Sequence, residues 1–270
     1  MRFIVSTSTL LKQLQSVSGA LSNSTVLPIL ENFLFEIKDG NLTISATALQ
    51  TSMTTSLTVE AKENGRIAIP SRILLDTLKS LPEQPIAFNI DDTTFAIEIN
   101  AGDGKYKLSG ENGEDFPKIP VVENASSVNL PASVLAEAIN KTIFAVSNDE
   151  LRPAMTGVYC QLSTSSLTFV ATDAHKLVRY RRKDAKAAST ASFILPKKAL
   201  NLLKSALPSE DINVSVEYNS TSAFFKFSNI NLVCRLIDER YPDYEAVIPK
   251  NNPNKLTIDR QAFLSSLNRV

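Results

Sequence analysis

Thr168–Leu177 reads TFVATDAHKL, and Thr43–Gln50 reads TISATALQ. Both stretches follow the same lead-in: VLPILENFLFEIKDGNLTISAT from Val26 and LRPAMTGVYCQLSTSSLTFVAT from Leu151. Pro28 pairs with Pro153, Leu42 with Leu167, and Ala46-Thr47 with Ala171-Thr172, all at one offset of 125 residues. So long an offset marks a duplicated domain, because solenoid repeats have periods of roughly 20–50 residues.

Working outward, the same unit occurs four times: a strand, a helix, then three strands. Arg2 to Val5 alternates as a strand, and Thr7 opens a helix with Leu10, Leu14, Val17 and Leu21 on one face. Leu30–Ile37, Leu42–Thr47 and Ser52–Val59 form a meander, turning at Asp39-Gly40 because Gly tolerates positive φ. Arg66–Ile69 leads to a second helix, with Ser71 as the expected N-cap, Leu74, Leu78 and Leu81 inward, and Pro82 as its stop. Strands follow near 86–90, 94–99 and 105–109, the last two joined by a hairpin at Gly102-Asp103-Gly104. A polar linker, Glu123–Ser127, precedes the second half. There a strand at 128–130 and a helix from Ala132 to about Val146 precede strands near 158–162, 167–171 and 176–181. A strand at 192–195 and a helix from Lys197 to about Ala206 then precede strands near 212–218, 223–227 and 232–237. The second and fourth helices also begin alike, AIPSRILLDTLKSLP at Ala68 and ILPKKALNLLKSALP at Ile194. The expected class is α+β, each half carrying two helices on a mainly antiparallel sheet layer. The expected domains are 1–122 and 128–250. Leu256–Val270 (LTIDRQAFLSSLNRV) resembles the opening strand and helix of a third, which predicts a chain truncated early in that domain, within 255–270.

Composition narrows the function. The 270 residues are 43% hydrophobic, enough for two cores, and no apolar run reaches transmembrane length. Residues 1–5 are followed by Ser and Thr rather than an apolar signal segment, so a cytoplasmic location is expected, with no membrane partner. Cys160 and Cys234 sit in apolar strand-like runs and read as buried thiols. The lone histidine, His175, has Asp173 or Asp149 as nominal partners but no Gly-x-Ser-x-Gly elbow, and the carboxylates have no metal-ligand spacing. Neither catalysis, a metal nor a cofactor is expected. The run Arg179, Arg181, Arg182, Lys183 and Lys186 reads either as a solvated hairpin end or as a DNA or partner contact.

Charge is sorted by element. The chain has 28 basic and 28 acidic residues, yet the four helices carry Lys12, Arg72, Lys79, Lys141, Lys197, Lys198 and Lys204 against only Asp76 and Glu137. Helices sharing one surface would make it positive, suited to phosphate contact without reading sequence. No interleaved aromatic platform for single strands accompanies them, so a duplex is the better match.

Three segments carry a resemblance: LTFVATDAHKLVRY, LIDERYPDYEAVIP at Leu236 and FAVSNDELRPAMTG at Phe144. They are similar to the second domain of the bacterial DNA polymerase III beta subunits, the sliding clamps, and MRFIVSTSTLLKQLQSVSGAL resembles the first. The likeness covers the whole chain. It implies a DNA-clamp fold and a non-enzymatic processivity factor for DNA replication, part of a DNA-synthesising assembly. A full-length homodimer would close a ring around double-stranded DNA, with helices lining the hole. The implied protein partners are the replicative DNA polymerase, the clamp loader and repair proteins with clamp-binding peptides. The implied peptide pocket uses Met155, Thr172, Ala174, His175, Lys176, Leu177, Pro242 and Val247. Ala174 and Lys176 stand where the family often has Gly and Arg, and Glu245-Ala246 where arginines are common. Tyr106 and Leu108 match the edge that meets the next subunit, and Arg152 joins the seven helix cations as a DNA-contact candidate. Ser24 stands where some members have a DNA-contacting Arg. The alternative reading is a non-enzymatic repeat scaffold that binds a protein or carbohydrate without encircling DNA.

Overall fold

A computed structural model describes residues 1–22, 27–210 and 212–270. The chain divides into two compact units, Met1–Glu239 and Arg240–Val270. Ser24 lies outside the described residues.

The larger unit contains the expected four repeats. The first is β1 (Arg2–Ser6), α1 (Thr7–Ser18), β2 (Asn32–Lys38), β3 (Asn41–Thr47) and β4 (Thr51–Thr58), with a two-residue β5 (Glu60–Ala61). The second is β6 (Gly65–Pro70), α2 (Ser71–Ser80), β7 (Pro85–Ile90), β8 (Ala96–Ala101) and β9 (Gly104–Ser109), with β10 (Glu111–Asn112). The third is β11 (Ser126–Pro131), α3 (Ala132–Thr142), β12 (Gly157–Leu162), β13 (Leu167–Thr172) and β14 (Leu177–Arg182). The fourth is β15 (Ala191–Pro196), α4 (Lys197–Ala206), β16 (Asn213–Tyr218), β17 (Ser222–Phe227) and β18 (Ile230–Arg235). The smaller unit has α5 (Tyr244–Val247) and α6 (Arg260–Leu267).

The repeats are not closed on themselves. Each lead strand pairs antiparallel in its sibling's sheet: β1 with β7, β6 with β2, β11 with β16 and β15 with β12. The sheet orders are β5-β1-β7-β8-β9, then β10-β6-β2-β3-β4-β18-β17-β16-β11, and β14-β13-β12-β15. The nine-stranded sheet crosses from one half of the chain to the other through β4 and β18, with Thr51 opposite Cys234 and Thr55 opposite Ile230. The halves therefore share one sheet, while each also keeps a sheet of its own, β5-β1-β7-β8-β9 in the first and β14-β13-β12-β15 in the second. Two edges that could have paired with solvent instead satisfy each other's backbone groups.

Alternation explains the core. In β2 the side chains of Phe33, Phe35 and Ile37 point inward, and Phe3 stacks on Phe88 at 4.6 Å between ring centroids. The turn at Asp39-Gly40 has φ of 51° and 76°, the twist a two-residue hairpin needs. Thr55 is fully buried at the junction. Its hydroxyl donates to Gln13 Oε1 (2.6 Å), and Asn229 Nδ2, on the β17–β18 turn, donates to the same Gln13 oxygen (2.7 Å). One amide on α1 thus ties the two halves together.

Several local expectations shift. Ser71 is buried in the first turn of α2 rather than capping it; Pro70 holds the cap position, without a side-chain bond. The third helix ends at Thr142, not near Val146. Thr142 Oγ1 bonds back to the Ala138 carbonyl at 2.7 Å, and the chain tightens into a 3-10 turn over Ile143–Ala145. Leu21 lies beyond α1, and β11 begins inside the expected linker. Residues 256–258 form no strand, for a strand needs a partner to take its backbone groups, and α6 ends with Asn268 as its cap.

Cys160 and Cys234 are buried free thiols. Burial pushes both thiols up, Cys234 to about 12. The thiolate is the reactive form, so neither should react with a thiol reagent at pH 8 until the fold opens, when both should. Native-state labelling at either position would contradict this packing.

Candidate DNA-facing helix layer and peptide-docking loop

The helices form a row. α1 packs on α2 and α3 on α4. Between the halves, α1 meets α4 at Gly19, where an added Cβ would lie 2.7 Å from Leu202 Cδ2. α1 sits on β3 and β4, and α4 on β18, so both cover one face of the nine-stranded sheet. The order across the layer is α2, α1, α4, α3. Each helix turns apolar residues to the core: Leu10, Leu14 and Val17; Leu74 and Leu78; Leu135, Ala138 and Ile139; Ala199, Leu200 and Leu203.

The solvent side of this row carries the cations. Lys12, Arg72, Lys79, Lys141, Lys198 and Lys204 are exposed; Lys197 is half-buried and donates to Asn148 Oδ1 at 2.8 Å. Of the two helix acids, Glu137 is bound by Arg182 at 2.8 Å, and Asp76 lies 3.9 Å from Lys79. The layer is therefore more positive than its residue count. Arg152 is exposed but already pairs with Asp149 at 2.8 Å, and that bond holds the Asp149 carboxyl below the usual range. Arg152 must exchange this partner to reach a phosphate.

The basic run on β14 is partly neutralised. Arg182 is held by Asp184, Tyr180 and Glu137, and Arg181 Nε donates to Thr168 Oγ1. Asp184 is drawn down to about 2 by Arg182.

Thr172 ends β13, Leu177 begins β14 opposite it, and Ala174, His175 and Lys176 lie in the turn between them. Thr172 is buried; its hydroxyl donates to the Lys176 carbonyl (2.8 Å) and accepts from the Ala174 N–H (3.1 Å). Asp173 accepts from the backbone N–H groups of His175 and Lys176 and from the Lys176 ammonium. Those bonds, the Lys176 side chain first, hold the carboxyl well below its ordinary value. A carboxylate depressed on folding stabilises fully above its unfolded pKa and loses that only as pH falls through its folded value. The loop thus stays stapled at neutral pH. Asp173 was legible only as a nominal partner of His175; its spacing to two following N–H groups is the signal of such a turn.

Ala174 has φ +74°, in the left-handed region. That conformation costs an L-residue roughly 1–2 kcal/mol, which is the physical reason a glycine suits this position. Ala174→Gly should raise stability by about 0.5–1 kcal/mol, after glycine's greater entropic cost. Urea melts should show a higher midpoint at constant slope, and a lower midpoint would remove the strain argument.

Met155 is half-buried, and its carbonyl accepts from the Ser147 N–H at 2.9 Å. Leu177 is half-buried, and His175 and Lys176 are exposed. Pro242 and Val247 are exposed residues of the smaller unit. Tyr106 and Leu108 lie half-buried on β9, the terminal strand of the five-stranded sheet. Among the described residues no group of three or more His, Cys, Asp or Glu could hold a metal ion, and no helix is long and apolar enough to cross a membrane.

A duplicated strand–helix–three-strand unit with exchanged lead strands and all four helices in one row defines the DNA-clamp architecture, a class of α+β protein. The chain matches the DNA polymerase III beta subunit, N-terminal domain, over residues 1–120, and the DNA polymerase III beta subunit, central domain, over residues 129–243. It belongs to the bacterial DNA polymerase III beta subunit family, the sliding clamps of DNA replication. Similar relatives include the beta sliding clamp of Halalkalibacterium halodurans, 28% identical over 281 residues, covering 100% of this chain and 74% of the relative. That of Synechococcus elongatus is 29% identical over 263 residues, covering 95% and 70%. Among solved structures, a sliding clamp from Bartonella birtlesii bound to griselimycin has a TM-score of 0.91 at 31% identity, covering 100% of this chain and 74% of that one. The DNA polymerase sliding clamp from Bacillus subtilis has a TM-score of 0.95 at 26% identity, covering 100% and 73%. This membership does not favour the repeat-scaffold alternative.

Proposed function

We propose that the helix row faces duplex DNA inside a ring and holds it by enclosure rather than by sequence-specific contact. The supporting observation is the sorting of charge: on a neutral chain, six exposed cations lie on the one layer whose acids are already paired. Enclosure needs only weak phosphate attraction, so the ring can slide. In this reading the protein is not an enzyme. It acts in the cytoplasm as the processivity factor that tethers the replicative polymerase, and it also meets the clamp loader and repair proteins. Its domains are 1–122 and 128–250, with 255–270 opening a third.

Partners dock short peptides against Met155 and the stretch from Thr172 to Leu177, and Pro242 and Val247 are proposed as further peptide-contacting residues. Tyr106 and Leu108 on the terminal strand β9 meet the next subunit of a full-length homodimer, where a further strand can pair as β18 pairs with β4. The decisive experiment loads the protein onto nicked circular DNA with its clamp loader and then linearises the circle. Retention on the circle and loss on linearisation are expected. Equal retention on both would make it an ordinary DNA binder; retention on neither would return the scaffold reading.

A peptide contact has a separate test. Burying one large apolar side chain is worth roughly 1.5–3 kcal/mol, so Leu177→Asp should weaken binding of a clamp-binding peptide by at least tenfold in calorimetry. Unchanged affinity would remove Leu177 from the site.

A further inference from the structure

The first half carries a counterpart of the peptide-docking loop. The offset of 125 takes Thr172, Ala174, His175 and Leu177 to Thr47, Leu49, Gln50 and Ser52. The same offset takes Tyr241-Pro242 to Phe116-Pro117 and Val247 to Val122. The local geometry is duplicated too. Leu49 has φ +66°, as Ala174 has +74°. The Leu49 N–H donates to Thr47 Oγ1 at 3.1 Å, as Ala174 donates to Thr172 Oγ1 at 3.1 Å. Ala48 N–H donates to the Thr51 carbonyl, as Asp173 donates to that of Lys176.

This copy borders a groove of 470 Å³ at the junction of the halves, lined by Leu49, Gln50, Ser52, Pro120, Val233 and Arg235, among others. The volume falls within the range of ligand sites, about 300–1,000 Å³. Leu49 is 53% exposed in a backbone region that disfavours it, a combination that collects at binding surfaces. Arg235 is exposed, makes no ion pair among the described residues, and no carboxylate lines the groove. The groove shares Pro120 and Val233 with a trough of 670 Å³ that runs over Phe224 and along the segment 117–122. That segment is pinned at Phe116 against Leu34 and Ala68, and Asn219 donates to the Glu123 carbonyl. Its backbone between those points takes part in none of the described backbone hydrogen bonds.

We propose that this groove is a second docking site for a short extended peptide bearing an acidic residue beside an apolar one. The apolar side chain lies against Leu49, Pro120 and Val233, and the carboxylate pairs with Arg235, the one charge in the lining. Arginine suits that role because its planar fork matches a carboxylate in two parallel bonds. The proposal rests on the reading of the Thr172–Leu177 loop as peptide-docking.

The test uses the whole chain and a synthetic probe, acetyl-Gly-Leu-Asp-Leu-Leu-Gly-amide, with a photoreactive leucine after the aspartate. Irradiation and peptide mapping should find crosslinks in two places, in 47–52 or 117–122 and in 172–177. Arg235→Glu, an exposed position checked for an unchanged melt, should cut the first set at least tenfold and leave the second. An Asp-to-Asn probe should do the same. Crosslinks only in 172–177 would overturn the second site and leave the first reading intact. Crosslinks in neither place would overturn both. Crosslinks only in the first set, lost in Arg235→Glu, would support the groove and remove the loop reading. A first set that survives Arg235→Glu would overturn the charge-paired recognition proposed here.

Discussion

Lys198→Glu combined with Lys204→Glu is expected to flatten the salt dependence of duplex binding. Both residues are exposed on α4, near the middle of the helix row. Each phosphate contact contributes roughly 0.9 to the slope of log affinity against log salt. Two contacts fewer should lower the slope by about 1.8, so that over 50–200 mM salt the variant loses roughly tenfold less affinity than the unaltered protein. Its affinity at low salt should be correspondingly weaker. Lys226→Glu is the control, because Lys226 lies on the opposite face of the nine-stranded sheet and pairs there with Glu217 at 2.9 Å. Titrations of one duplex oligonucleotide at four salt concentrations would decide the matter. Equal slopes for both variants would remove α4 from the DNA-facing surface.

Gly157→Ala should destabilise the fold far more than Gly19→Ala, although both sites are crowded. At Gly157 an added Cβ would meet the Leu195 carbonyl oxygen at 2.5 Å, Ile194 Cγ2 at 2.7 Å and Ile237 Cδ1 at 2.9 Å. The first of these is backbone, fixed by the β12–β15 ladder in which Gly157 faces Pro196. It cannot yield without parting the exchanged lead strand. Overpacking of this kind costs about 1–3 kcal/mol, occasionally more. At Gly19 the obstacle is the end of the Leu202 side chain, which is half-buried and can turn aside. Its backbone is right-handed helical, so alanine fits there. Gly19→Ala should stay within about 0.5 kcal/mol of the parent. Thermal or urea unfolding of the two variants would test this, and equal losses would contradict the distinction between fixed and yielding neighbours.

The fourfold strand–helix–three-strand order, the inward faces of the helices and the duplication at 125 residues were all legible in the chain. They follow from local periodicity: the spacing of Leu10, Leu14 and Val17, or the alternation of Phe33, Phe35 and Ile37, needs no knowledge of what lies opposite. The placing of the basic residues on helices was equally plain. Other features depended on partners far away in sequence. Alternation in β1 declares which side is buried, but any antiparallel neighbour would satisfy its backbone. Only the assembled sheets decide that β1 pairs with β7, that β15 pairs with β12, and that β4 continues into β18 across the two halves. Likewise Arg182 reads as a free cation until Glu137, on a different element, comes within 2.8 Å of it. The left-handed backbone at Ala174 and Leu49 is set by the Thr172 and Thr47 hydroxyls within the folded hairpins, and it too waits for the turn to close. Periodicity specifies which surfaces leave water; the choice of what covers them is made by long-range pairing, where loop closure and backbone hydrogen bonding are satisfied together.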